Sequence, residues 1–131
     1  MVKTMKRSVS LLFVISLLAS MLVMPAKATN GSKSATLPSY GKSTEYVTIY
    51  TDKSFLGLKK TTVTVTNTSR NRTVALYKNM GCVGYAYAGD LWPGRSMSFS
   101  AKANGTRYSF MVQRAGGSGS ATVTFRITNG Y

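Results

Sequence analysis

An all-β fold, built as a small antiparallel sandwich of two sheets, is what this sequence predicts. Three observations carry it. Apolar and polar residues alternate with a period of two in several short runs. Clusters of Gly, Pro, Asn and Ser separate those runs. After the first 28 residues, no stretch keeps a helical period.

The run 61–78 shows the pattern most plainly. Val63 and Val65 alternate with Thr62, Thr64 and Thr66, so one face is apolar and the other hydroxylated. Residues 67–71 supply turn formers, and a second β-rich run begins at Thr73. The two strands read as a central hairpin. Before it, 45–50 is a strand with Val47 and Ile49 on one face and Tyr46, Thr48 and Tyr50 on the other. Residues 51–54 read as a turn, and 55–58 lead into the hairpin.

After the hairpin, 79–84 reads as a glycine-containing loop. Val83, Tyr85 and Tyr87 then share one face of a further strand. The segment 89–94, Gly-Asp-Leu-Trp-Pro-Gly, reads as the strongest turn in the chain. Met97, Phe99 and Ala101 alternate with serines, and Asn104-Gly105 marks the next tight turn. Tyr108, Phe110 and Val112 form one face of the following strand. The run 115–120, Ala-Gly-Gly-Ser-Gly-Ser, reads as a flexible loop before Val123, Phe125 and Ile127. About six or seven short strands of this kind pack as two sheets face to face. The expected core is Val47, Ile49, Val63, Val65, Val74, Leu76, Met97, Phe99, Tyr108, Phe110, Val112, Val123, Phe125 and Ile127.

The N-terminal 1–28 reads as a secretory signal peptide. Lys3, Lys6 and Arg7 precede an apolar run at 9–23, and Ala26-Lys27-Ala28 is a small-x-small cleavage site. No transmembrane span is expected after cleavage, because spanning takes about 20 apolar residues. The following 29–44, rich in Ser, Thr, Gly and Lys, reads as a flexible mature N-terminus or a first edge segment. The sandwich itself is expected over 45–131.

Charge sets the functional bounds. The chain carries 17 Lys and Arg against 3 Asp and Glu, with no His. Four of the basic residues lie within 1–28, so 13 remain beside 3 acids, a balance of +10. Cys82 is the single cysteine and cannot form an internal disulfide. It reads as a small buried hydrophobe, with pairing between chains as the other reading. A secreted domain without disulfides points to a Gram-positive source.

Two resemblances follow from particular residues. The order of elements, and the run Leu-Trp-Pro-Gly-Arg-Ser-Met-Ser-Phe-Ser at 91–100, resemble an immunoglobulin-like sandwich. Separately, Tyr50-x4-Phe55-x-Gly57 and Tyr77-x4-Cys82-x-Gly84 resemble the first-hairpin pattern of βγ-crystallin Greek keys. That likeness implies the alternative of a Greek-key sandwich. The calcium ligands of that family are missing, so it implies no metal site.

Catalytic chemistry finds little to work with. Without His, Ser-His and Cys-His pairs are excluded. Cys82 alone makes no zinc site. Glu45, Asp52 and Asp90 are the only carboxylates, and nothing in their spacing pairs them as glycoside hydrolysis requires. Ser39-x-x-Lys42 lacks its companion motifs, and 116–119 lacks the Lys-Ser/Thr of a phosphate loop. The expectation is a non-enzymatic protein with no cofactor and no metal.

What remains is positive charge and aromatic surface. Lys59, Lys60, Arg70 and Arg72, at the two ends of the central hairpin, are the candidate polyanion-binding residues. Tyr85, Tyr87 and Trp92 are candidates for stacking on rings. The expected partners are anionic wall polymers or a phospholipid surface, with no specific nucleic acid. The protein is expected to be secreted and loosely wall-associated. The alternative is a secreted antimicrobial, bacteriocin-like protein acting on competing cells.

Overall fold

The computed structural model describes residues 29–81 and 84–131. The signal-peptide reading of 1–28, both readings of Cys82, and the place of Val83 in a strand lie outside the described residues. Eight strands run in order. They are β1 (Asn30–Leu37), β2 (Thr44–Tyr50), β3 (Lys60–Asn67), β4 (Arg72–Asn79), β5 (Ala86–Leu91), β6 (Ser96–Lys102), β7 (Arg107–Gly117) and β8 (Ala121–Thr128). A 3-10 turn, Phe55–Gly57, lies between β2 and β3. Two antiparallel four-stranded sheets result, ordered β1-β8-β3-β6 and β2-β7-β4-β5.

The order has a simple logic. β4 pairs with β5, β3 with β6, β2 with β7 and β1 with β8, all antiparallel. The chain is thus one long double strand whose successive pairs alternate between the two sheets. Additional pairing of β3 with β8 and β4 with β7 joins the pairs within each sheet. This is the strand order of a jelly roll. It corrects the immunoglobulin-like expectation, in which strands 1-2-5-4 face strands 3-6-7. The period of two says which face of a strand is buried; it does not say which strand lies alongside. The crystallin-like first hairpin is not formed at 50–57, where the chain leaves β2 for a 3-10 turn and crosses to the other sheet, and the second such pattern, at 77–84, runs outside the described residues.

The 61–78 run makes the same point. It forms two strands, but β3 and β4 lie in different sheets and do not pair. The hairpin is an arch between layers, which sets Val63 and Val65 against Val74 and Leu76 across the core. Asn67 holds its corner. Its side chain is buried, and its Nδ2 donates to the Arg72 carbonyl at 2.7 Å and the Leu91 carbonyl at 2.8 Å. Its Oδ1 accepts from the Ser69 amide at 2.9 Å. One residue thereby ties the β3–β4 arch to the end of β5.

At 30–37 the edge-segment alternative holds: the residues form β1, an edge strand paired with β8, because Ala35 and Leu37 are buried beneath it. Two further segments differ from expectation. Residues 89–91 belong to β5, and Leu91 is part of the core. The tight turn sits at 92–95, where the Arg95 amide donates to the Trp92 carbonyl at 2.9 Å, with Pro93 and Gly94 (φ 81°) at its centre. Gly89 (φ 142°) instead lies where Met97 of the facing sheet packs closest. Finally, β7 extends to Gly117, so only the end of the 115–120 run is a turn.

The core otherwise follows the sequence. All the expected residues line it, with Met97, Phe99 and Tyr108 only partly buried against it. Ala35, Leu37, Leu91 and Ala121 complete it. Phe110 lies between Phe99 and Phe125, with ring centroids 5.6 and 5.5 Å apart, and so links the sheets.

Candidate polyanion-binding end and aromatic face

The strand directions sort the connections into two ends. At one end lie Thr29, the β2–β3 and β6–β7 connections, and residues 129–131. At the other lie the β1–β2, β3–β4, β5–β6 and β7–β8 connections. The candidate residues Lys59 and Lys60 are therefore separated from Arg70 and Arg72 by the length of β3, about 23 Å. They do not form one site.

Lys53, Lys59, Lys60, Lys102 and Arg107 gather at the first end, which is a lysine end. Lys60 on β3 is directly opposite Lys102 on the edge strand β6. Both are exposed, with Cα atoms about 5 Å apart as in any antiparallel pair. Lys59 is half-buried beside Ser54, whose Oγ accepts from the Lys59 amide at 3.2 Å. The carboxylate at this end, Asp52, accepts from the Thr29 amide at 3.1 Å.

Lys42, Arg70, Arg72, Arg95 and Arg114 mark the opposite, arginine end. Arg72 is not poised for a ligand. Its Nε donates to the Gly119 carbonyl at 2.9 Å, and its Nη1 to those of Gly117 and Ala115 at 2.8 and 3.1 Å. It pins the β7–β8 turn. Arg114 does the same for the β1–β2 connection, donating to the carbonyls of Pro38 and, at 3.1 Å, Lys42. Arg70 is exposed. Lys42 pairs with Glu45 at 2.6 Å, and this hydrogen bond, with the Tyr46 amide, holds the Glu45 carboxyl below its ordinary value.

The aromatic candidates lie on the outer face of the second sheet and its edge. Register places Tyr46, Met111, Tyr77 and Tyr87 in one row across β2, β7, β4 and β5. Tyr77 and Tyr87 meet edge to face at 5.4 Å. Tyr85 precedes β5 and reaches across to Tyr46, at 5.6 Å. Hydrogen bonding to the Asp90 carboxylate raises the pKa of Tyr87 above the ordinary phenol value. Trp92 follows β5 and is 67% exposed. So Tyr85 and Tyr87 join a larger row, while Trp92 stands at its edge, near the arginine end.

The outer face of the first sheet is different. Thr62, Thr64 and Thr66 lie beside Ser100, Ser98 and Ser96, with hydroxyl oxygens 3.3, 3.2 and 2.7 Å apart. These groups satisfy one another across β3 and β6.

Sequence reasoning missed Lys102 as the partner of Lys60, and Tyr46, Tyr77 and Met111 as the rest of the tyrosine row. Only strand register joins residues so far apart in the chain. It also passed over Phe55, Leu56 and Leu58, which stand exposed between Lys53 and Lys59. That signal was legible: an apolar cluster bracketed by lysines in a loop. The carboxylates do not converge. Glu45 and Asp90 lie on β2 and β5, the opposite edges of the second sheet, and Asp52 lies at the lysine end. Among the described residues no group of His, Cys, Asp and Glu could hold a metal ion, and no helix is long and apolar enough to cross a membrane.

No family model matches the chain, and no curated protein matches it. Among solved structures it is similar to the crystal structure of Yersinia pseudotuberculosis-derived mitogen. The TM-score is 0.44, with 14% sequence identity, covering 76% of this chain and 85% of that one.

Proposed function

We propose that the protein is a secreted, non-enzymatic binder of anionic cell-surface material, and that the lysine end makes the contact. The Lys60–Lys102 pair carries this reading. Like charges directly opposite on neighbouring strands destabilise a sheet, and this pair is exposed with no carboxylate between its members. An anionic polymer or surface lying across both lysines removes the repulsion. Lys53 and Arg107 extend the positive field over the adjacent connections.

The test is retention on wall sacculi, with and without their anionic polymers, over rising salt. Retention should need the polymers and fade as salt rises. In a Lys60→Ala/Lys102→Ala variant the slope of log affinity on log salt should fall by about 2, one for each phosphate that a lysine no longer neutralises. Retention that ignores both the polymers and the two lysines would sink the proposal.

The tyrosine row favours a second reading, stacking on glycan rings. Exposed tyrosines spread over one sheet face offer apolar ring faces with hydroxyls at their rims. Under that reading, Tyr85→Ala and Tyr87→Ala lower retention on polymer-free sacculi and leave the salt slope unchanged.

A further inference from the structure

The connection between β2 and β3 has an unusual construction. Its base is fixed. The Ser54 amide donates to the Ala103 carbonyl at 3.0 Å, the Ala103 amide to the Lys59 carbonyl at 2.8 Å, and the Gly105 amide to the Asp52 carbonyl at 3.2 Å. Its tip is apolar and points away from the core. Leu56 is 78% exposed and Leu58 75%, with Phe55 exposed beside them. Leu56 also holds a left-handed backbone conformation, φ 53° and ψ 22°, which a bulky residue adopts at a cost. The fold thus holds three large apolar side chains outward in a strained turn while Lys53, Lys60 and Lys102 stand around the base.

We propose that this loop is a wedge for an anionic phospholipid bilayer. Phe55, Leu56 and Leu58 enter the boundary between headgroups and acyl chains, and the surrounding lysines lie at the level of the phosphates. Charge and apolarity select this occupant together. A soluble polyanion uses the lysines and leaves the leucines in water, whereas an anionic bilayer takes both. The inference rests on the reading of the lysine end as an anion-binding surface and narrows its partner.

Two measurements on the full chain test it. The first places a reporter at the tip, by Leu56→Trp with Trp92→Phe, and reads quenching by brominated acyl chains in phosphatidylglycerol-rich vesicles. The second compares vesicle binding of the unaltered chain with a Leu56→Ser/Leu58→Ser variant, so that any contribution from residues 1–28 is common to both. The tip reporter should lose about half its emission. The double serine variant should bind roughly a hundredfold more weakly, as expected for two leucines withheld from an apolar phase, while keeping its affinity for soluble polyphosphate.

If vesicles bind the chain but neither quenching nor the serine pair has an effect, the wedge is overturned and the electrostatic reading stands. If soluble polyphosphate is bound and vesicles are not, the outcome is the same. If neither is bound, both readings fall.

Discussion

The two ends of the sandwich carry nearly the same number of cations and use them in opposite ways. At the arginine end, Arg72 and Arg114 turn their guanidinium groups back onto carbonyls of neighbouring turns. At the lysine end, Lys60 and Lys102 face each other in solvent. The chemistry of the side chains explains the division. A planar fork with five donors satisfies several carbonyls at once, whereas an ammonium on a flexible stem is a point charge. A positive count is therefore not a count of binding residues. Part of the excess maintains the fold, and part stands exposed on the surface.

Substitutions should separate these two uses. The largest effect is expected at Asn67, which joins the arch to β5 next to the arginine end. Asn67→Ala leaves the buried Leu91 carbonyl and the Arg72 carbonyl without their donor. It should cost about 3 kcal/mol and lower the melting temperature by about 15 °C. Arg72→Ala follows at about 2 kcal/mol, because the guanidinium is half-exposed and water replaces part of its hydrogen bonding. Lysine should not restore it, and polyanion affinity should barely change. If Arg72→Ala instead abolished retention on anionic sacculi at full stability, the division between the ends would be wrong.

At the lysine end the sign reverses. Lys60→Ala or Lys102→Ala should leave stability unchanged or raise it by up to about 1 kcal/mol at low salt, as cross-strand repulsion is relieved. The gain should shrink at high salt, and calorimetry at two ionic strengths reads it. The smallest effect concerns Glu45. Its folded pKa is depressed by Lys42, so any stability it adds is present above the ordinary carboxylate value of 4.5 and is lost as pH falls through the folded value. Glu45→Gln should remove that acid-limb dependence and little else. Tyr87 runs the other way. Its raised pKa gives a contribution complete below pH 10 and lost as pH rises through the folded value.

How much was legible in the sequence depended on range. Alternation places Val63, Val65, Phe110 and Phe125 inside, because burial on one face of a strand is a local property. β1 is hard to see because Ser, Lys and Thr hide a pattern whose buried members are only Ala35 and Leu37. The turn falls later than 89–94 suggests because Gly89 looks like punctuation, when it serves packing beneath Met97. Nothing local could show that β3 and β4 part into different sheets, and so nothing local could show that Lys59 and Lys60 lie far from Arg70 and Arg72. The pairing of Lys60 with Lys102 and the tyrosine row belong to the same class. Each depends on register between segments distant in sequence.

The pairing of β1 with β8 has a consequence in time. Asn30 stands opposite Thr128, so the first strand waits for almost the whole chain before it can dock. Until β8 arrives, β3 lacks one neighbour and β1 has none. Such long-range closure is slow, on the order of milliseconds to seconds, and leaves strand edges open to wrong pairing meanwhile. A polypeptide that must thread a narrow pore before folding gains from that delay. One that folds where it is made has to survive it, and Lys33 on β1 and Lys60 on β3, the two strands that wait for β8, help keep unfinished copies apart.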